Sequence, residues 1–355
     1  MIKYIGSKRV LVPRIVAAVG ALPGVRTVLD PFSGTSRVAR ALKQAGFRVH
    51  ASDCAAYAHV LATAYVQADA DRWSGDAAAL IRDLQALPGS PGWFTTTFCE
   101  RSRYLQPHNG ARVDAIRERI ADLRLPHELE AIALTSLLEA ADRVDSTTGL
   151  QMAYLKGWAA RSFQPLELRV PDLTPGAGTA AMGDAIEIAS RVDADAAYLD
   201  PPYNQHSYLG NYHVWESLVR WDKPEVYGIA CKRMDVKTRR SAFNSKVRFR
   251  AAFEAIVGAV RAPNLVVSFS DEGFLPRDEI RGILATRGCV ESVEIDFKRY
   301  VGAQIGIHNP AGEKVGKVSH LRNREFLFVV APDAGTARAA RDAAAATDGQ
   351  TALFP

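Results

Sequence analysis

The sequence predicts an α/β protein with a doubly wound, mostly parallel sheet, a C-terminal antiparallel hairpin and an inserted helical region. Three observations lead to this fold class. A short apolar strand at 27–30 runs through a glycine turn into a helix, which is the unit that builds doubly wound folds. An apolar run at 196–199 predicts another buried strand. Strand patterns at 290–297 and 325–330 follow each other late in the chain and predict the antiparallel hairpin.

The composition is that of an ordinary soluble globular protein. The 355 residues suffice for one large α/β domain and a smaller region, and 48% of them are hydrophobic. The net charge of +5 permits a polyanionic partner without requiring one. The four cysteines form no Cys-x-x-Cys pair, so we expect neither a zinc site nor a disulfide framework. An apolar stretch at 10–22 is interrupted by Pro13 and Arg14 and no stretch reaches the length of a membrane span, so we expect a cytoplasmic protein.

The chain opens with Lys3-Tyr4-Ile5-Gly6-Ser7-Lys8-Arg9, and an apolar-periodic helix follows through Val19. Glycine and serine between an aromatic residue and a lysine predict a tight turn. Its N–H groups and ammonium could contact an anionic or polar ligand. An ordinary basic N-terminus is the alternative interpretation.

The first strand, Thr27 to Asp30, continues into Pro31-Phe32-Ser33-Gly34-Thr35 and then a helix from about Ser36 to Ala45. A strand, a glycine turn and a helix in this order predict a nucleotide-binding loop. The Gly-x-Gly-x-x-Gly spacing is missing, which argues against a dinucleotide.

A second strand, Arg48 to Ser52, ends at Asp53. An acid about 20 residues after the first loop can reach the hydroxyls of a ribose, and a carboxylate offers two acceptors for them. Asp53 could also cap a helix, which would not exclude the ribose contact. Asp184 precedes a helix that starts near Ala185, so capping is the alternative to a ligand contact there as well.

The strand at 196–199 stops at Asp200-Pro201-Pro202-Tyr203. The prolines cannot donate to a sheet ladder, and each holds the preceding residue extended. The strand therefore ends in a stiff loop at the carboxyl edge of the sheet, where ligands bind. A carboxylate and a prolyl carbonyl suit an amino group with two N–H bonds, and a tyrosine face suits a flat base flipped out of a duplex. A simple turn with Asp200 as a cap or surface acid is the alternative.

Asp200-Pro201-Pro202-Tyr203 resembles the catalytic motif of DNA methyltransferases that methylate amino groups with S-adenosylmethionine. Asp30-Pro31-Phe32-Ser33-Gly34-Thr35 resembles their cofactor motif. With the N-terminal segment, the order of motifs resembles the alpha group of N6-adenine methyltransferases, to which Dam-like enzymes belong. The resemblance covers most of the chain and implies their Rossmann-like sheet. Tyr4 stands where that group often has tryptophan, which keeps the aromatic face.

This resemblance implies a set of site residues. The catalytic ones are Asp200, Pro201, Pro202 and Tyr203. Those implied for binding S-adenosylmethionine are Tyr4, Lys8, Asp30, Pro31, Phe32, Ser33, Gly34, Thr35, Asp53, Asp184 and Asp200. In this family, the acid matching Asp30 faces the ammonium of the cofactor, and the acid matching Asp184 approaches its adenine.

Amphipathic helix patterns at 80–87, 114–123 and 128–144 interrupt the alternation of strands and helices. We therefore predict a catalytic domain formed by 1–75 and 182–332, with an inserted, mainly helical region at 76–181. By resemblance, the insertion is where target-recognition elements lie. We expect the Ala-rich tail at 333–355 to be a frayed helix or disordered.

Downstream of Tyr203 the chain is rich in amides and aromatic residues, and then in basic residues opposed by Asp235 alone. Amides and rings suit bases, and a basic run suits phosphates, although such a run is commonly a solvated face. The candidate nucleic-acid-binding residues are Asn204, His206, Tyr208, Tyr212, Lys232, Arg233, Lys237, Arg239, Arg240, Asn244 and Lys246. We expect no metal at His206 and His213, because no third carboxylate lies nearby in sequence.

Together these expectations describe a site-specific methyltransferase that acts on N6 of a flipped adenine in duplex DNA. Its role would be restriction-modification, with a cognate endonuclease as a partner, or an orphan epigenetic role. We expect a monomer or weak dimer without membrane or metal. The alternatives are adenine in structured RNA, N4 of cytosine in DNA, and a non-catalytic DNA-binding module. Asp200 favours adenine, because related cytosine enzymes more often have serine there.

Overall fold

The computed structural model describes residues 1–155, 157–298, 307–308, 314–316 and 322–347. Its strands are β1 (Thr27–Asp30), β2 (Arg48–Asp53), β3 (Gly178–Met182), β4 (Ala196–Leu199), β5 (Val226–Tyr227), β6 (Lys232–Arg233), β7 (Asn264–Ser270), β8 (Cys289–Lys298), β9 (Ile307–His308), β10 (Lys314–Gly316) and β11 (Arg322–Ala331). Seven of them form one sheet with the order β3-β2-β1-β4-β7-β11-β8, while β5–β6 and β9–β10 are small separate pairs.

The large sheet is parallel except at one edge. β3, β2, β1, β4 and β7 run parallel to one another. β11 is antiparallel to both β7 and β8. The predicted fold class, a mostly parallel sheet with a C-terminal antiparallel hairpin, is confirmed.

The strand order reverses between β1 and β4. From β1 the chain moves outward to β2 and β3, and then returns to the other side of β1 as β4. In open α/β sheets, ligands bind at the carboxyl ends of the strands where the order reverses. Asp30 ends β1 and Asp200 follows β4, so both acids lie at this position.

The helices are α1 (Val12–Gly20), α2 (Arg37–Gln44), α3 (Ala56–Ala62), α4 (Ala70–Ala86), α5 (Trp93–Thr95), α6 (Pro107–Leu123), α7 (His127–Arg143), α8 (Ala185–Ala189), α9 (Tyr208–Asn211), α10 (His213–Arg220), α11 (Phe249–Ala259), α12 (Arg277–Leu284) and α13 (Ala334–Ala346). Two π-helical turns, Thr63–Gln67 and Thr96–Glu100, and three 3-10 turns, Ala160–Phe163, Met234–Lys237 and Ala242–Asn244, complete the described elements. None of the helices in the described parts of the chain is long and apolar enough to cross a membrane.

Alternation along the buried strands supplies both faces of the sheet. In β4, Ala196 and Tyr198 belong to one apolar cluster, whereas Ala197 and Leu199 belong to the other. The first cluster includes the apolar faces of α1, α2, α3 and α10, and the second those of α8, α11 and α12. Helices therefore cover both faces, as a doubly wound sheet requires.

The region at 76–181 is helical in its first part but does not end where the sequence suggested. α4 and α6 begin earlier than their predicted patterns, and the last residues, Gly178 to Ala181, belong to the edge strand β3. β3 pairs in parallel with β2 over five positions. The expected boundary at 181 is thus wrong, because it falls inside β3. The residues of this edge strand are half-buried or exposed, so its alternating pattern is too weak to be recognised in the sequence. The recognition role of this region stays a prediction.

Of the two alternatives expected for the tail, a frayed helix or disorder, residues 334–346 adopt the helix, α13, and disorder is wrong for them. Asp333 caps this helix, since its carboxylate accepts a hydrogen bond of 2.9 Å from the N–H of Thr336. Ala337, Ala340 and Ala344 are fully buried in the cluster that contains the apolar face of α1. Small side chains let two helices approach closely, so an Ala-rich segment can pack although it is not strongly hydrophobic. Residues 348–355 lie outside the described residues.

Candidate active site

A cavity of about 530 Å³ opens at the carboxyl ends of β1, β2 and β4, within the size range of ligand sites. Its walls include the N-terminal segment, the turn after β1, the segments that follow β2, β3 and β4, and the segment at 239–248. The predicted site residues that line it are Tyr4, Lys8, Asp30, Pro31, Phe32, Ser33, Gly34, Thr35, Asp53, Asp184, Asp200, Pro202, Tyr208, Arg239, Arg240 and Asn244. The fold therefore brings together the N-terminal, cofactor and Asp-Pro-Pro-Tyr motifs.

The turn after β1 is held by backbone contacts. The N–H of Ser33 donates to the carbonyl of Ser52 on β2 at 2.9 Å, and Gly34 has a φ of 50°, in the left-handed region that glycine tolerates. Ser33 Oγ is buried and has no hydrogen-bond partner among the described residues. This hydroxyl is available to a ligand in the cavity.

Asp30 is 1% exposed at the floor of the cavity. Its Oδ1 accepts one hydrogen bond, from the N–H of Phe32 at 3.3 Å. Burial, and then the charge of Asp200, raise the pKa of Asp30 well above its ordinary value. A buried carboxylate in this state is stabilised by a cation placed next to it.

Asp53 and Asp184 both contact backbone N–H groups while lining the cavity. Asp53 Oδ2 accepts from Gly34 at 3.0 Å and Oδ1 accepts from Ala55 at 2.9 Å. Burial raises the pKa of Asp53. Asp184 caps α8 by accepting from the N–H of Ile186 at 2.9 Å. The capping expected for Asp184 is present, and it leaves the residue at the wall of the cavity.

Asp200 forms an ion pair with Lys8, whose Nζ lies 3.1 Å from Asp200 Oδ1. The same ammonium lies 3.4 Å from Glu325 Oε2 on β11. Burial raises the pKa of Asp200 to about 6, and Lys8 opposes that rise. Lys8 is 6% exposed, and the two carboxylates together raise its pKa well above the ordinary value despite its burial. Lys8 was expected to contact the cofactor, and the structure also pairs it with the candidate catalytic acid.

The rest of the Asp-Pro-Pro-Tyr loop surrounds this pair. Pro201 is buried, whereas Pro202 lines the cavity. The ring of Tyr203 has its centroid 5.6 Å from Lys8 Nζ and 5.6 Å from the ring centroid of Phe269 on β7. The carbonyl of Tyr203 accepts from the N–H of Phe274 at 3.1 Å. These contacts fix the loop from the sheet side.

Three tyrosines stack beside the N-terminal segment. The ring centroid of Tyr4 lies 4.5 Å from that of Tyr212 and 5.1 Å from that of Tyr208, with nearly parallel planes. Tyr212 is 1% exposed, and its hydroxyl accepts from the N–H of Ile5 at 2.6 Å. The expected contact of Tyr212 with nucleic acid is therefore wrong, because both its ring and its hydroxyl are used inside the protein. Tyr208 remains at the wall of the cavity.

The basic run at 232–250 divides into paired and exposed residues. Arg233 is 1% exposed and pairs with Asp222 and Asp235. Its expected contact with DNA is wrong, because a buried guanidinium with two acidic partners cannot reach a phosphate. Arg239 pairs with the fully buried Glu216 at 2.8 Å, so Asp235 is not the only acid that opposes this run.

The remaining candidates for contacting nucleic acid lie nearer the surface. Asn244 braces the loop after Tyr203, because its Nδ2 donates to the carbonyls of Asn204 and His206 at 2.8 and 3.1 Å. Lys237 lies with its Nζ 4.1 Å from the ring centroid of Tyr227. The residues of this set that the structure exposes are His206, Lys237, Arg240 and Lys246, while Lys232 and Asn204 are half-buried.

Sequence reasoning missed Glu325 and Glu216. Glu325 is 8% exposed at the beginning of β11, and the sequence predicted only a strand there. Glu216 accepts from the N–H of Ala56 at 2.8 Å, at the N-terminus of α3. Each acid occurs within an apolar pattern, a signal that predicts a buried, paired carboxylate. Among the described residues no group of three or more His, Cys, Asp and Glu side chains is arranged to hold a metal ion.

Comparison with known proteins gives one family match and several relatives. A model of the D12 class N6 adenine-specific DNA methyltransferase family matches residues 4–265. The modification methylase StsI of Streptococcus sanguinis is 28% identical over 320 residues, which cover 84% of this chain and 48% of StsI.

Two type II methyltransferases are similar as well. M.FokI of Planomicrobium okeanokoites is 34% identical over 203 residues, which cover 56% of this chain and 31% of M.FokI. M.NlaIII of Neisseria lactamica is 26% identical over 338 residues, which cover 91% of this chain and 99% of M.NlaIII. The chain thus spans about half of StsI, about a third of M.FokI and nearly all of M.NlaIII.

Proposed function

Because the chain belongs to the D12 class N6 adenine-specific DNA methyltransferase family, we propose that it transfers a methyl group from S-adenosylmethionine to N6 of an adenine in duplex DNA. The observation that carries this proposal is the single cavity shared by Asp200 and the acids Asp30, Asp53 and Asp184. Asp200 supplies an acceptor for an amino group, and the other three acids suit the polar groups of the cofactor.

The residues of the cavity fit S-adenosylmethionine by their chemistry. Asp30 is a buried carboxylate that a neighbouring cation would stabilise, and the cofactor carries an ammonium. Ser33 Oγ is buried without a partner among the described residues, so it can bond to the amino-acid end of the cofactor. Asp53 and Asp184 line the same cavity and can accept from ribose hydroxyls and from the adenine of the cofactor. When bound, S-adenosylmethionine supplies an electrophilic methyl group.

Asp200 and the carbonyl of Pro201 act on the target amino group. The carboxylate accepts one N–H and the carbonyl accepts the other, which orients the nitrogen lone pair away from both acceptors. The nitrogen loses one proton when it gains a carbon, and Asp200, the carboxylate of the Asp-Pro-Pro-Tyr loop, can take that proton and release it to solvent. Its pKa of about 6 keeps most of it ionised at neutral pH.

Lys8 keeps the catalytic acid in place. Its high pKa holds it in the ammonium form, so it serves as a fixed cation and not as a proton acceptor. A salt bridge of 3.1 Å to Asp200 Oδ1 orients that carboxylate and leaves Oδ2 for the substrate. Positioning and electrostatics therefore supply the catalysis that this chain contributes.

Exposed basic residues near the cavity suit the DNA backbone. Arg240 and Lys246 are exposed, and Arg240 lines the cavity. Asn244 holds the loop that carries Asn204 and His206, so this loop can follow the strand from which the base is flipped. The names of the relatives suggest a restriction-modification role, and a cognate endonuclease is the partner that such a role implies.

The proposal is tested by incubating the protein with tritiated S-adenosylmethionine and unmethylated duplex DNA, with structured RNA in parallel. Label in N6-methyladenine after digestion of the DNA is the expected result. Label in RNA or in N4-methylcytosine would show that the substrate is not adenine in duplex DNA. No label with the cofactor still bound would favour a binding module. Asp200→Ala should abolish transfer and retain measurable cofactor binding, because Asp30, Asp53 and Ser33 remain.

A further inference from the structure

Glu325 is a buried acid next to the candidate active site, outside the residues 4–265 that the family model matches. Its Oε2 lies 3.4 Å from Lys8 Nζ, and the same nitrogen lies 3.1 Å from Asp200 Oδ1. One ammonium thus lies between two carboxylates. Glu325 is not among the residues that line the cavity, so it contacts the site through Lys8.

The reversed direction of β11 explains how Glu325 reaches this position. Because β11 is antiparallel to β7, its first residues lie beside the last residues of β7, and Glu325 pairs with Ser270. The beginning of β11 is therefore at the same edge of the sheet as the carboxyl ends of the parallel strands. Leu327 and Val329 alternate with their neighbours and pack in the cluster that contains α1. Glu325 shares their face and so meets Lys8, which precedes α1.

The charges of this group do not balance within the described protein. Two carboxylates, Asp200 and Glu325, share the single ammonium of Lys8. The other titratable groups that face these three are Asp30, Tyr198, Tyr203 and Tyr208, none of which carries a positive charge. A lone buried ion pair would hold Asp200 firmly to Lys8, and a second carboxylate weakens that hold by competing for the same N–H bonds.

We propose that Glu325 is a positioning residue for methyl transfer, because it holds Lys8 Nζ between two carboxylates and so leaves Asp200 correctly oriented and available to the target amino group. Glu325 thereby sets the strength of the ion pair between Lys8 and Asp200. The meaning of this for catalysis rests on the proposed function, whereas its effect on the titration of Asp200 does not.

Removing the charge of Glu325 should change both the pKa of Asp200 and the rate of methyl transfer in a defined direction. In Glu325→Gln, Lys8 has one anionic partner and pairs more tightly with Asp200. The negative charge of Glu325 raises the pKa of Asp200 in the native protein, so its removal should lower that pKa. A more tightly paired Asp200 accepts the amino hydrogen less well, and we expect kcat at neutral pH to fall about tenfold. The KM values for DNA and cofactor should stay near those of the native protein.

The experiment compares native protein, Glu325→Gln, Glu325→Asp and Glu294→Gln. Glu294→Gln is the matched control, since Glu294 lies on the neighbouring strand β8 but faces Arg277 and Arg324 at the surface. The carboxyl carbon of Asp200 is labelled with carbon-13, and its NMR signal is assigned as the one that is lost in Asp200→Asn. The shift of this signal with pH is then measured in the protein without ligand. Steady-state methylation of duplex DNA across pH is measured on the same preparations.

The expected result is a lower titration midpoint for Asp200 in Glu325→Gln, an intermediate midpoint in Glu325→Asp, and a native midpoint in Glu294→Gln. The pH below which kcat decreases should also be lowest in Glu325→Gln, intermediate in Glu325→Asp and native in Glu294→Gln. A native midpoint in Glu325→Gln would overturn the inference. Should Glu325→Gln not fold, a native midpoint in Glu325→Asp would do the same.

The titration also separates this inference from the proposed function. A shifted midpoint in a protein without methyl transfer to DNA would contradict the function and leave the action of Glu325 on Asp200 standing. Normal methylation with an unshifted midpoint would support the function and contradict the action of Glu325 on Asp200.

Discussion

Arg233 and Asp222 form a two-point ion pair, in which Nη1 and Nη2 each lie 2.7 Å from a different carboxylate oxygen. Nε of the same guanidinium lies 3.1 Å from Asp235. A planar guanidinium with two acidic partners is fully used within the protein. The basic run that follows the active site therefore contains structural cations as well as cations that face solvent.

Arg233→Gln should destabilise the protein by about 2 kcal/mol, because it removes the buried guanidinium that binds both Asp222 and Asp235 and leaves these acids only the more exposed Arg220 and Arg239 as cationic partners. Both acids are about one-third exposed, which keeps the loss below that of a fully buried pair. Denaturant unfolding measures the change. Lys246→Gln removes an exposed charge from the same run and should leave the free energy of unfolding unchanged; equal losses in the two variants would contradict the structural role of Arg233.

Arg240→Gln and Lys246→Gln should weaken DNA binding in a salt-dependent way. Each phosphate contact contributes about 0.9 to the slope of log affinity against log salt concentration, so each variant should lower that slope by about this amount. Fluorescence anisotropy with a labelled duplex at several salt concentrations measures it. Arg250→Gln is the control, since Arg250 pairs with Glu254 at 3.0 Å on α11; unchanged slopes in Arg240→Gln and Lys246→Gln, or an equal change in the control, would refute this DNA-binding surface.

The sequence predicted best where a strand stops at an acid. Asp30, Asp53 and Asp200 each mark the carboxyl end of a predicted strand, and strand order places these ends at one cavity. Which cations face solvent could not be predicted, because the segment containing Arg233 and Lys237 consists of two-residue strands and 3-10 turns. Such elements have no periodicity from which burial can be read.

Glu325 illustrates a different limit. A strand pattern gives the alternation of faces but not the direction in which the strand enters the sheet. Glu325 reaches the active-site edge only because β11 runs antiparallel to β7, which makes the beginning of the strand, and not its end, the functional position. That relation depends on long-range pairing, and local sequence does not specify it.

Ala340→Asp should destabilise the protein by about 3 kcal/mol or more, because it places a charge in the buried contact of α13 with α1. Thermal unfolding measures the loss. Ala339→Asp changes the exposed neighbour on the same helix and should have little effect. Similar melting temperatures for both variants would show that α13 is not packed on the core.

Gly34→Ala should cost about 1 kcal/mol of stability and weaken the binding of S-adenosylmethionine, because Gly34 has a φ of 50° that disfavours a side chain. The added Cβ would also lie 3.4 Å from the ring of Tyr4 at the cavity wall. Thermal unfolding and calorimetric titration with the cofactor measure the two effects.

Gly258→Ala serves as the control for Gly34→Ala. Gly258 lies in α11, and a Cβ there would have no neighbour within 4 Å. Since alanine favours helix over glycine by about 1 kcal/mol, this variant should be slightly stabilised and bind the cofactor normally. Unchanged cofactor affinity in Gly34→Ala would contradict the assignment of this turn to the cofactor.

The rate of methyl transfer should fall as the pH decreases through about 6, the value to which burial raises the pKa of Asp200. Asp200 accepts an amino hydrogen in its ionised form, which predominates above its pKa and is lost below it. The profile of kcat against pH measures this acidic limb. The midpoint for an ordinary aspartate would lie near 4, and a limb there would show that Asp200 is not buried in the active protein.

Lys8→Met should move the acidic limb of the rate profile to higher pH. The ammonium of Lys8 lowers the pKa of Asp200, opposing burial and the charge of Glu325, so its loss leaves two neighbouring carboxylates without a cation and makes Asp200 easier to protonate. At neutral pH a larger share of the variant is therefore inactive, and raising the pH should restore part of the rate. This direction is opposite to that expected for Glu325→Gln.

A rate that stays low at every pH would mean that Lys8 acts by orienting Asp200 or binding the cofactor, and a limb that moves to lower pH would contradict the ion pair itself.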